Sequence, residues 1–593
     1  MDETRLFDLL SRFENKFPDK KDVFGAKEDG KWVTFSTADY VQMSNLTSIG
    51  LHLKAYQKGH KIATISNNRP EWNFVDLGMM QLGVVHVPIY PTLSDEEYLH
   101  ILKHSDARML IVSDIELFEK LKPIAATIPS IENIYTFNKI DGVPHWSELT
   151  ELGKSVDYLE YCSKVEDIKN TISQDDLATI IYTSGTTGLP KGVMLSHWNF
   201  MYQIQQIKKI IPIGHQHKVL SFLPLCHVLE RIGSYTFQFM GISIYYAESI
   251  EKIADNIKEI KPNGFITVPR LLERVYDKII AKGKELSSIK KNLFFWAVNL
   301  GLKYDERGNG FYYNFRLKIA NFLIFKKWRE ALGGNLKIII SGGAALQPRL
   351  ARIFLAAGIP VQEGYGLTET APVICVNRDK YPGLRIGTVG PKIGDEQEIK
   401  IADDGEILFR GPNLMLGYYK DDERTKEVID SDGWFHTGDI GEIVENEYLK
   451  ITDRKKEIFK LSTGKYVAPQ PIENLFKESL FIEQIMIVGE NQKYTGALIS
   501  PNFEYLHRWS FKKKIHFRDN RELVDFPEIL ERYQKEIDLY NKRLGKTEQI
   551  KVFRVVCEEW TPATGELSPT LKLHRKFIET KYQHRMKQIF PSD

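Results

Sequence analysis

The densest chemistry in the chain lies at Tyr182-Thr183-Ser184-Gly185-Thr186-Thr187-Gly188-Leu189-Pro190-Lys191-Gly192. Glycines there let backbone N–H groups close on oxyanions, the hydroxyls of Thr183, Ser184, Thr186 and Thr187 donate further hydrogen bonds, and Lys191 adds a cation. A phosphate cradle is the expectation, because the run directly follows the apolar stretch DLATIIYTS (176–184). It is not a Walker A loop: Pro190 stands where that pattern needs its second glycine. A second constellation is Gln362-Glu363-Gly364-Tyr365-Gly366-Leu367-Thr368-Glu369-Thr370. Tyr365 offers a flat face to a base, and Glu369 a hard oxygen of the kind Mg2+ takes. A third is Gly433-Trp434-Phe435-His436-Thr437-Gly438-Asp439, with Asp453-Arg454 following. An acidic residue after a tight glycine turn can hold a ribose diol, and Arg454 can pair with phosphate or ribose. Alone, the second is better read as an ordinary strand-to-turn segment, and the third has a capped β-turn with a surface Asp as its alternative.

Elements of a particular kind must position these groups. Short apolar runs alternate with helical stretches: HKIATIS before RPEWNFVDLGMMQLG, ARMLIVSD before IELFEKL, and LKIIISGG before LQPRLARIFLAAG. That alternation predicts an open α/β sheet flanked by helices. Beyond residue 380 the pattern turns strand-like in GEILFRG and GEIVENEYLKITDR, with a turn expected at Glu445-Asn446-Glu447. The charged run Asp453-Arg454-Lys455-Lys456 then precedes short strands (EQIMIVGE, TGALIS) and charged helices. The expected fold is mixed α/β, with a large N-terminal domain (1–452) of several subdomains and a β-rich lobe, and a small α+β domain (453–593).

Composition narrows the class without naming a function. The 593 residues carry 80 Lys+Arg against 78 Asp+Glu, a net +2, with 42% hydrophobic residues. This is a globular chain, not a disordered, collagen-like or disulfide-scaffold one, and near-neutral charge argues against a dedicated nucleic-acid binder. Cys162, Cys226, Cys375 and Cys557 form no CxxC pair, which disfavours structural zinc and fits a reducing compartment. No apolar run is long enough to span a bilayer, and MDETRLFDLLSRFENKF lacks the pattern of a secretory signal. A cytoplasmic protein, peripheral to any membrane, is expected.

Taken together, YTSGTTGLPKG, GYGLTET and GWFHTGD in this order and spacing resemble the AMP-forming adenylate synthetase superfamily, over nearly the whole chain from Asn68-Arg69-Pro70-Glu71-Trp72 to the tail. Within it the chain is most similar to the long-chain fatty acid–CoA ligases, on the segments Leu223–Arg231, Val268–Tyr276 and Leu567–Lys572. The resemblance implies ATP-dependent activation of a long-chain fatty acid to an acyl-adenylate, then transfer to coenzyme A. It places Thr183, Ser184, Gly185, Thr186, Thr187, Gly188 and Lys191 on the ATP phosphates, with Mg2+ on Glu369 and Thr183. Adenine falls among Gly343, Ala344, Gly364 and Tyr365, with Thr368 near the α-phosphate, Asp439 on the ribose and Arg454 assisting. His227 matches the position beside the acyl carboxylate; a satisfied core histidine is its alternative. Lys572 matches the catalytic lysine, ahead of Lys576 and Lys465, although Pro569-Thr570-Leu571 replaces the Ser/Thr-Gly that most of the superfamily carries there. The small domain is implied to swivel about a hinge near 454–456, with Ser462-Thr463-Gly464 joining the pantetheine channel. Ligases for medium-chain or aryl acids, or for a carrier protein, keep the same adenylation motifs. A non-catalytic scaffold is the rival outside enzymes. Whether the chain is a monomer or a homodimer stays open.

One segment stands apart. Residues 288–330 hold nine Lys/Arg against three Asp/Glu, interleaved with many aromatics. Two readings are open: a membrane-surface helix, or two amphipathic helices packed on the large domain with solvated basic faces.

Overall fold

The structure, a computed structural model, describes residues 3–183, 189–568 and 571–591. The chain divides into two compact units: Met1–Glu398 with Phe409–Phe435, and Ile399–Leu408 with His436–Asp593.

The first unit carries two large sheets. In the seven-stranded sheet the order is Gly417–Tyr418, Lys191–Ser196, Leu177–Thr183, Val85–Ile89, Lys61–Ile65, Ala107–Val112, Asn133–Thr136. In the eight-stranded sheet it is Val373–Val376, Val361–Gly366, Ile338–Ser341, Gly264–Thr267, Lys218–Ser221, Ser243–Tyr246, Phe24–Glu28, Lys31–Phe35. Its middle strands pair in parallel, and an antiparallel strand closes each edge. Strands buried on both faces must read as continuous apolar runs; Val85–Ile89 is buried at every residue. The expected strand–helix pairs form: Lys61–Ile65 feeds helix Pro70–Met80, Ala107–Val112 feeds Ile115–Ala125, and Ile338–Ser341 feeds Pro348–Ala356. The helix starts follow local rules. Pro70 and Pro348 occupy the first turn, where a missing N–H costs nothing. Asp114 accepts from the Leu117 N–H as a cap.

A buried ionic network ties helix Val228–Phe239 to the seven-stranded sheet. Arg231, fully buried, donates to Asp76 Oδ1 (2.8 Å), Thr179 Oγ1 (2.7 Å) and the Tyr235 hydroxyl (2.8 Å). Asp76 also meets His86 Nδ1 at 2.6 Å and accepts from Tyr235 at 2.6 Å. Burial pushes the Asp76 carboxyl up, but Arg231 and His86 outweigh it and the group stays below the ordinary carboxylate range. A buried guanidinium so fully bonded fixes the orientation of its helix, and removing one partner would strand the other charge.

Beyond the short pair Phe459–Lys460 and Tyr466–Val467, the second unit is built on two sheets. One runs Glu398–Ile401, Glu406–Arg410, Phe435–Val444, Tyr448–Arg454. The hairpin between its last two strands turns where expected: Glu445 and Asn446 both take positive φ (52° and 60°), the conformation a tight hairpin turn demands. The other sheet holds Ile482–Val488, Gly496–Pro501 and Val552–Val555. Helices Pro469–Phe476, Phe503–Lys512 and Pro527–Asn541 close an apolar core with Ile485, Ile487, Ile499 and Tyr533.

Candidate active site

In the first unit, Thr183 ends one strand and Lys191 begins the next, and the two are direct antiparallel partners. Ser184, Gly185, Thr186, Thr187 and Gly188 lie outside the described residues. The Thr183 hydroxyl is buried without a hydrogen-bond partner. A buried polar atom of this kind costs free energy unless a partner satisfies it, so the hydroxyl is open to a polar ligand at the end of strand Leu177–Thr183.

Lys191 Nζ reaches Glu369 Oε1 at 2.9 Å. A third residue, Tyr418, completes the cluster: Lys191 donates to its hydroxyl, which donates to Glu369 Oε1 at 2.9 Å. The ammonium also lies 4.0 Å from the Tyr418 ring centroid, a cation–π distance. Burial pushes the Glu369 carboxyl up, yet Lys191 and Tyr418 outweigh it and hold the group below its ordinary range, as an anion. Backbone pairing sets the geometry. Gly417–Tyr418 runs antiparallel to Lys191–Ser196, and the Met415 N–H donates to the Glu369 carbonyl at 2.8 Å. Sequence reading overlooked Tyr418. Its signal was faint, a glycine-led Gly417-Tyr418-Tyr419 with no companion motif.

Glu369 sits in the one-turn helix Thr368–Thr370, after strand Val361–Gly366. The close passage of Pro372 dictates Gly366: a Cβ there would lie 1.7 Å from the Pro372 carbonyl oxygen. Strands Ile338–Ser341 and Val361–Gly366 are parallel neighbours, with Ser341 opposite Glu363. Their carboxyl ends therefore bring Gly343 and Ala344 beside Gly364 and Tyr365, the edge at which open α/β sheets take ligands. Gly343 has φ of +81°, open to glycine without strain. Lys218–Ser221 ends on the same edge, and the loop after it carries His227. That histidine caps helix Val228–Phe239, its Nδ1 accepting from the Leu229 N–H at 3.1 Å, with the Tyr90 ring 6.4 Å away.

In the second unit, Asp439 and Arg454 are cross-strand partners, with Arg454 Nε 3.4 Å from Asp439 Oδ1. Gly438 has φ of +72°, donates its N–H to Glu406 at 2.9 Å and accepts from the Lys455 N–H at 2.9 Å. Asp439 is thereby presented from a braced strand. Gly464 turns the hairpin between Phe459–Lys460 and Tyr466–Val467 with φ of +84°. Lys572 is exposed in a tight turn closed by the Leu567–Leu573 bridge. Ser568 Oγ accepts from the Lys572 N–H at 3.1 Å, and the Ser568 N–H donates to the Lys572 carbonyl at 2.8 Å. Pro569 and Thr570 of that turn lie outside the described residues.

The donor set agrees with a magnesium site completed by substrate. Among the described residues no cluster of three His, Cys, Asp or Glu could hold a metal by itself. Mg2+ is commonly held through one or two carboxylates plus substrate phosphates and water. The anionic Glu369 and the unpartnered Thr183 hydroxyl suit that arrangement.

Comparison with known proteins bears on the same residues. The family model described as AMP-binding enzyme matches residues 10–419, and that of the AMP-binding enzyme C-terminal domain matches 456–593. Long-chain-fatty-acid–CoA ligase FadD15 of Mycobacterium tuberculosis is 31% identical over 95% of this chain and 93% of its own. Long chain acyl-CoA synthetase 7, peroxisomal, of Arabidopsis thaliana is 31% identical over 94% and 81%. Among solved structures, the anthranilate CoA ligase AuaEII aligns with a TM-score of 0.71 at 18% identity over 97% of both chains. A Mycobacterium tuberculosis fatty acyl CoA synthetase aligns with 0.63 at 18% over 98% and 99%. Those two structures speak for the fold, which is the mixed α/β architecture with a smaller C-terminal part. By sequence and by fold, the chain belongs to the AMP-binding enzyme family.

Proposed function

We propose that the chain is a long-chain fatty acid–CoA ligase that works through an acyl-adenylate. The observation that carries the reading is the cluster of Lys191, Tyr418 and anionic Glu369 beside the unpartnered Thr183 hydroxyl. It supplies a cation, a carboxylate and a hydroxyl donor at the mouth of a glycine- and hydroxyl-rich loop. The near-full-length relatives named as long-chain ligases supply the substrate class.

In the first reaction an oxygen of the fatty carboxylate bonds to the α-phosphorus of ATP, and the bond from that phosphorus to pyrophosphate breaks. An anion approaches an anion, so positioning and charge neutralisation carry the catalysis. Lys191 and Thr183 hold the leaving phosphates. Glu369 and Thr183 would hold Mg2+, which would supply neutralisation of phosphate charge. Gly343, Ala344, Gly364 and Tyr365 take the adenine, Thr368 stands toward the α-phosphate, and His227 orients the carboxylate. Asp439 takes the ribose hydroxyls with Arg454 assisting, and Lys572 supplies the cation for the carboxylate and α-phosphate. In the second reaction the thiol of coenzyme A, losing its proton, bonds to the acyl carbon and AMP leaves. Residues 453–593 act in this scheme as a domain that reorients about 454–456, with Gly464 on the thiol's side. The wide sequence spacing of the four cysteines, without a CxxC pair, fits a reducing compartment such as the cytoplasm. No helix among the described residues is long and apolar enough to cross a membrane.

The test is AMP release from ATP and Mg2+ with palmitate, octanoate or coumarate, with and without coenzyme A. The reading expects palmitate to give the highest kcat/KM and turnover to require coenzyme A. Turnover independent of coenzyme A rejects the ligase, and preference for coumarate rejects the fatty substrate.

A further inference from the structure

The helical stretch Phe311–Ala320, Asn321–Phe325 and Lys326–Ala331 is apolar on two sides. Its inner side puts Leu317, Ala320, Phe325 and Trp328 against the core of the first unit. The π-helical turn Asn321–Phe325 is clamped: the Asn321 amide donates to the carbonyls of Leu317 (3.1 Å) and Ala356 (2.9 Å), and Arg329 donates to Asn321 Oδ1 (2.6 Å) and the Ala357 carbonyl (2.5 Å). This helix is fixed in place, and its outer side is what solvent meets. There Phe311 is 89% exposed, Phe315 55% and Phe322 76%, with Leu323 beside them. Spacings of four and seven put the three rings on one helical stripe. Lone exposed apolar residues need no explanation, but a contiguous aromatic stripe does.

Charge says what covers it. Arg316, Lys318, Lys326 and Lys327 flank the stripe, and from 311 to 330 the single acidic residue is Glu330. Its pairing with Lys326 is long, at 3.9 Å, with both side chains solvated. Of the two readings of this segment, solvated basic faces alone do not account for the rings. A second copy of the chain is disfavoured, because a two-fold contact would set this basic stripe against itself. Aromatic rings framed by lysines match the boundary of an anionic bilayer, where rings enter the headgroup region and ammonium groups meet phosphate.

We propose that Phe311, Phe315 and Phe322, with Lys318, Lys326 and Lys327, form a peripheral docking face for an anionic lipid bilayer. The inference extends the ligase reading, bringing the enzyme to the phase in which long acyl chains dissolve, and it is tested without turnover. Purified full-length protein is floated with vesicles of phosphatidylcholine alone or mixed with phosphatidylglycerol. Wild type is expected to float with the anionic vesicles and to be released by salt. Phe311→Ser/Phe315→Ser/Phe322→Ser, which loses the apolar burial, and Lys326→Glu/Lys327→Glu, which loses basic residues contributing about 1 kcal/mol each, should each bind roughly tenfold or more weakly. AMP release with dissolved octanoate should be unchanged in both variants, which reports an intact fold. Equal flotation of wild type and variants overturns the proposal, as does wild type that ignores anionic vesicles. A wild-type dimer in sedimentation that the serine variant converts to monomer overturns it in favour of self-association. None of these results touches the ligase reading, which fails only in the AMP assay.

Discussion

Arg575 lies three residues beyond Lys572 and bonds both oxygens of Glu473, at 2.8 Å each, while its Nε reaches Glu457 at 3.1 Å. One half-buried guanidinium thus joins helix Arg575–Lys581, which follows the turn carrying Lys572, to helix Pro469–Phe476 and to the residue following Lys456. Burial would lower the charge on Arg575, but Glu473 and Glu457 outweigh it and hold the cation firmly. Glu473 itself is pushed above its ordinary range, chiefly by burial.

Removing this cation leaves a buried carboxylate unpaired. Arg575→Ala is expected to destabilise the second unit by about 3–5 kcal/mol, read as a lower denaturant midpoint. Arg575→Lys, which keeps charge but loses the fork, should fall between. An alanine variant as stable as wild type would remove Arg575 from this role.

The Lys191–Glu369–Tyr418 cluster separates into charge and support. Glu369→Gln and Lys191→Ala should each lower kcat for acyl-adenylate formation by roughly 10²–10³, the scale of losing one preorganised electrostatic contact. Tyr418→Phe keeps the ion pair and loses one neutral donor, so a loss nearer tenfold is expected. Pyrophosphate release in single turnover measures all three, and a Tyr418→Phe loss as large as that of Glu369→Gln would contradict this ranking.

Glu230 gives a pH signature. Burial pushes its carboxyl up to about 8 from 4.5, and its Oε2 has no hydrogen-bond partner. A raised folded-state value means the folded chain holds the extra proton. The associated stability is complete below about 4.5 and is lost as pH rises through about 8. Within that window it changes by at most roughly 1.4 kcal/mol per pH unit. Glu230→Gln cannot ionise, so its stability relative to wild type should climb from pH 5 to pH 8, as followed by thermal unfolding. A difference independent of pH would show that Glu230 does not titrate there.

Lys456 sits exposed in the turn after strand Tyr448–Arg454. If residues beyond it must reorient between the two reactions, fixing its φ should hinder the second more than the first. Lys456→Pro is expected to slow thioester formation at least tenfold more than adenylate formation in separate single-turnover assays. Equal slowing would place the hinge elsewhere.

Much of the first unit could be read from the chain because the information is local. Strands buried on both faces need unbroken apolar runs, and the proposed phosphate-binding run stands out by its glycines and hydroxyls within eleven residues. Asp439 and Arg454 were legible too, since one hairpin with a readable turn at Glu445–Asn446 sets their register. The partners of these groups were not legible. Tyr418 reaches Lys191 across 227 positions, and Arg231 reaches Asp76 across 155. Such pairs depend on which strands and helices become neighbours, and no local periodicity encodes that. In the segment 288–330 the basic and aromatic content was plain, but which rings face inward was settled only by the clamp at Asn321 and Arg329.

The Arg231–Asp76–His86 network sets a boundary for redesign. Helix Val228–Phe239 is capped by His227, the residue proposed to orient the carboxylate, so it invites exchange with a homologous helix. Its central charge, however, is neutralised by Asp76 of helix Pro70–Met80, which His86 of strand Val85–Ile89 holds in place through its own hydrogen bond. A graft that carries Arg231 without Asp76, or the reverse, inherits an uncompensated ion in the interior. The transplantable unit is therefore discontinuous, helix together with its distant counter-charge, and recombination points placed between residues 90 and 225 would sever it.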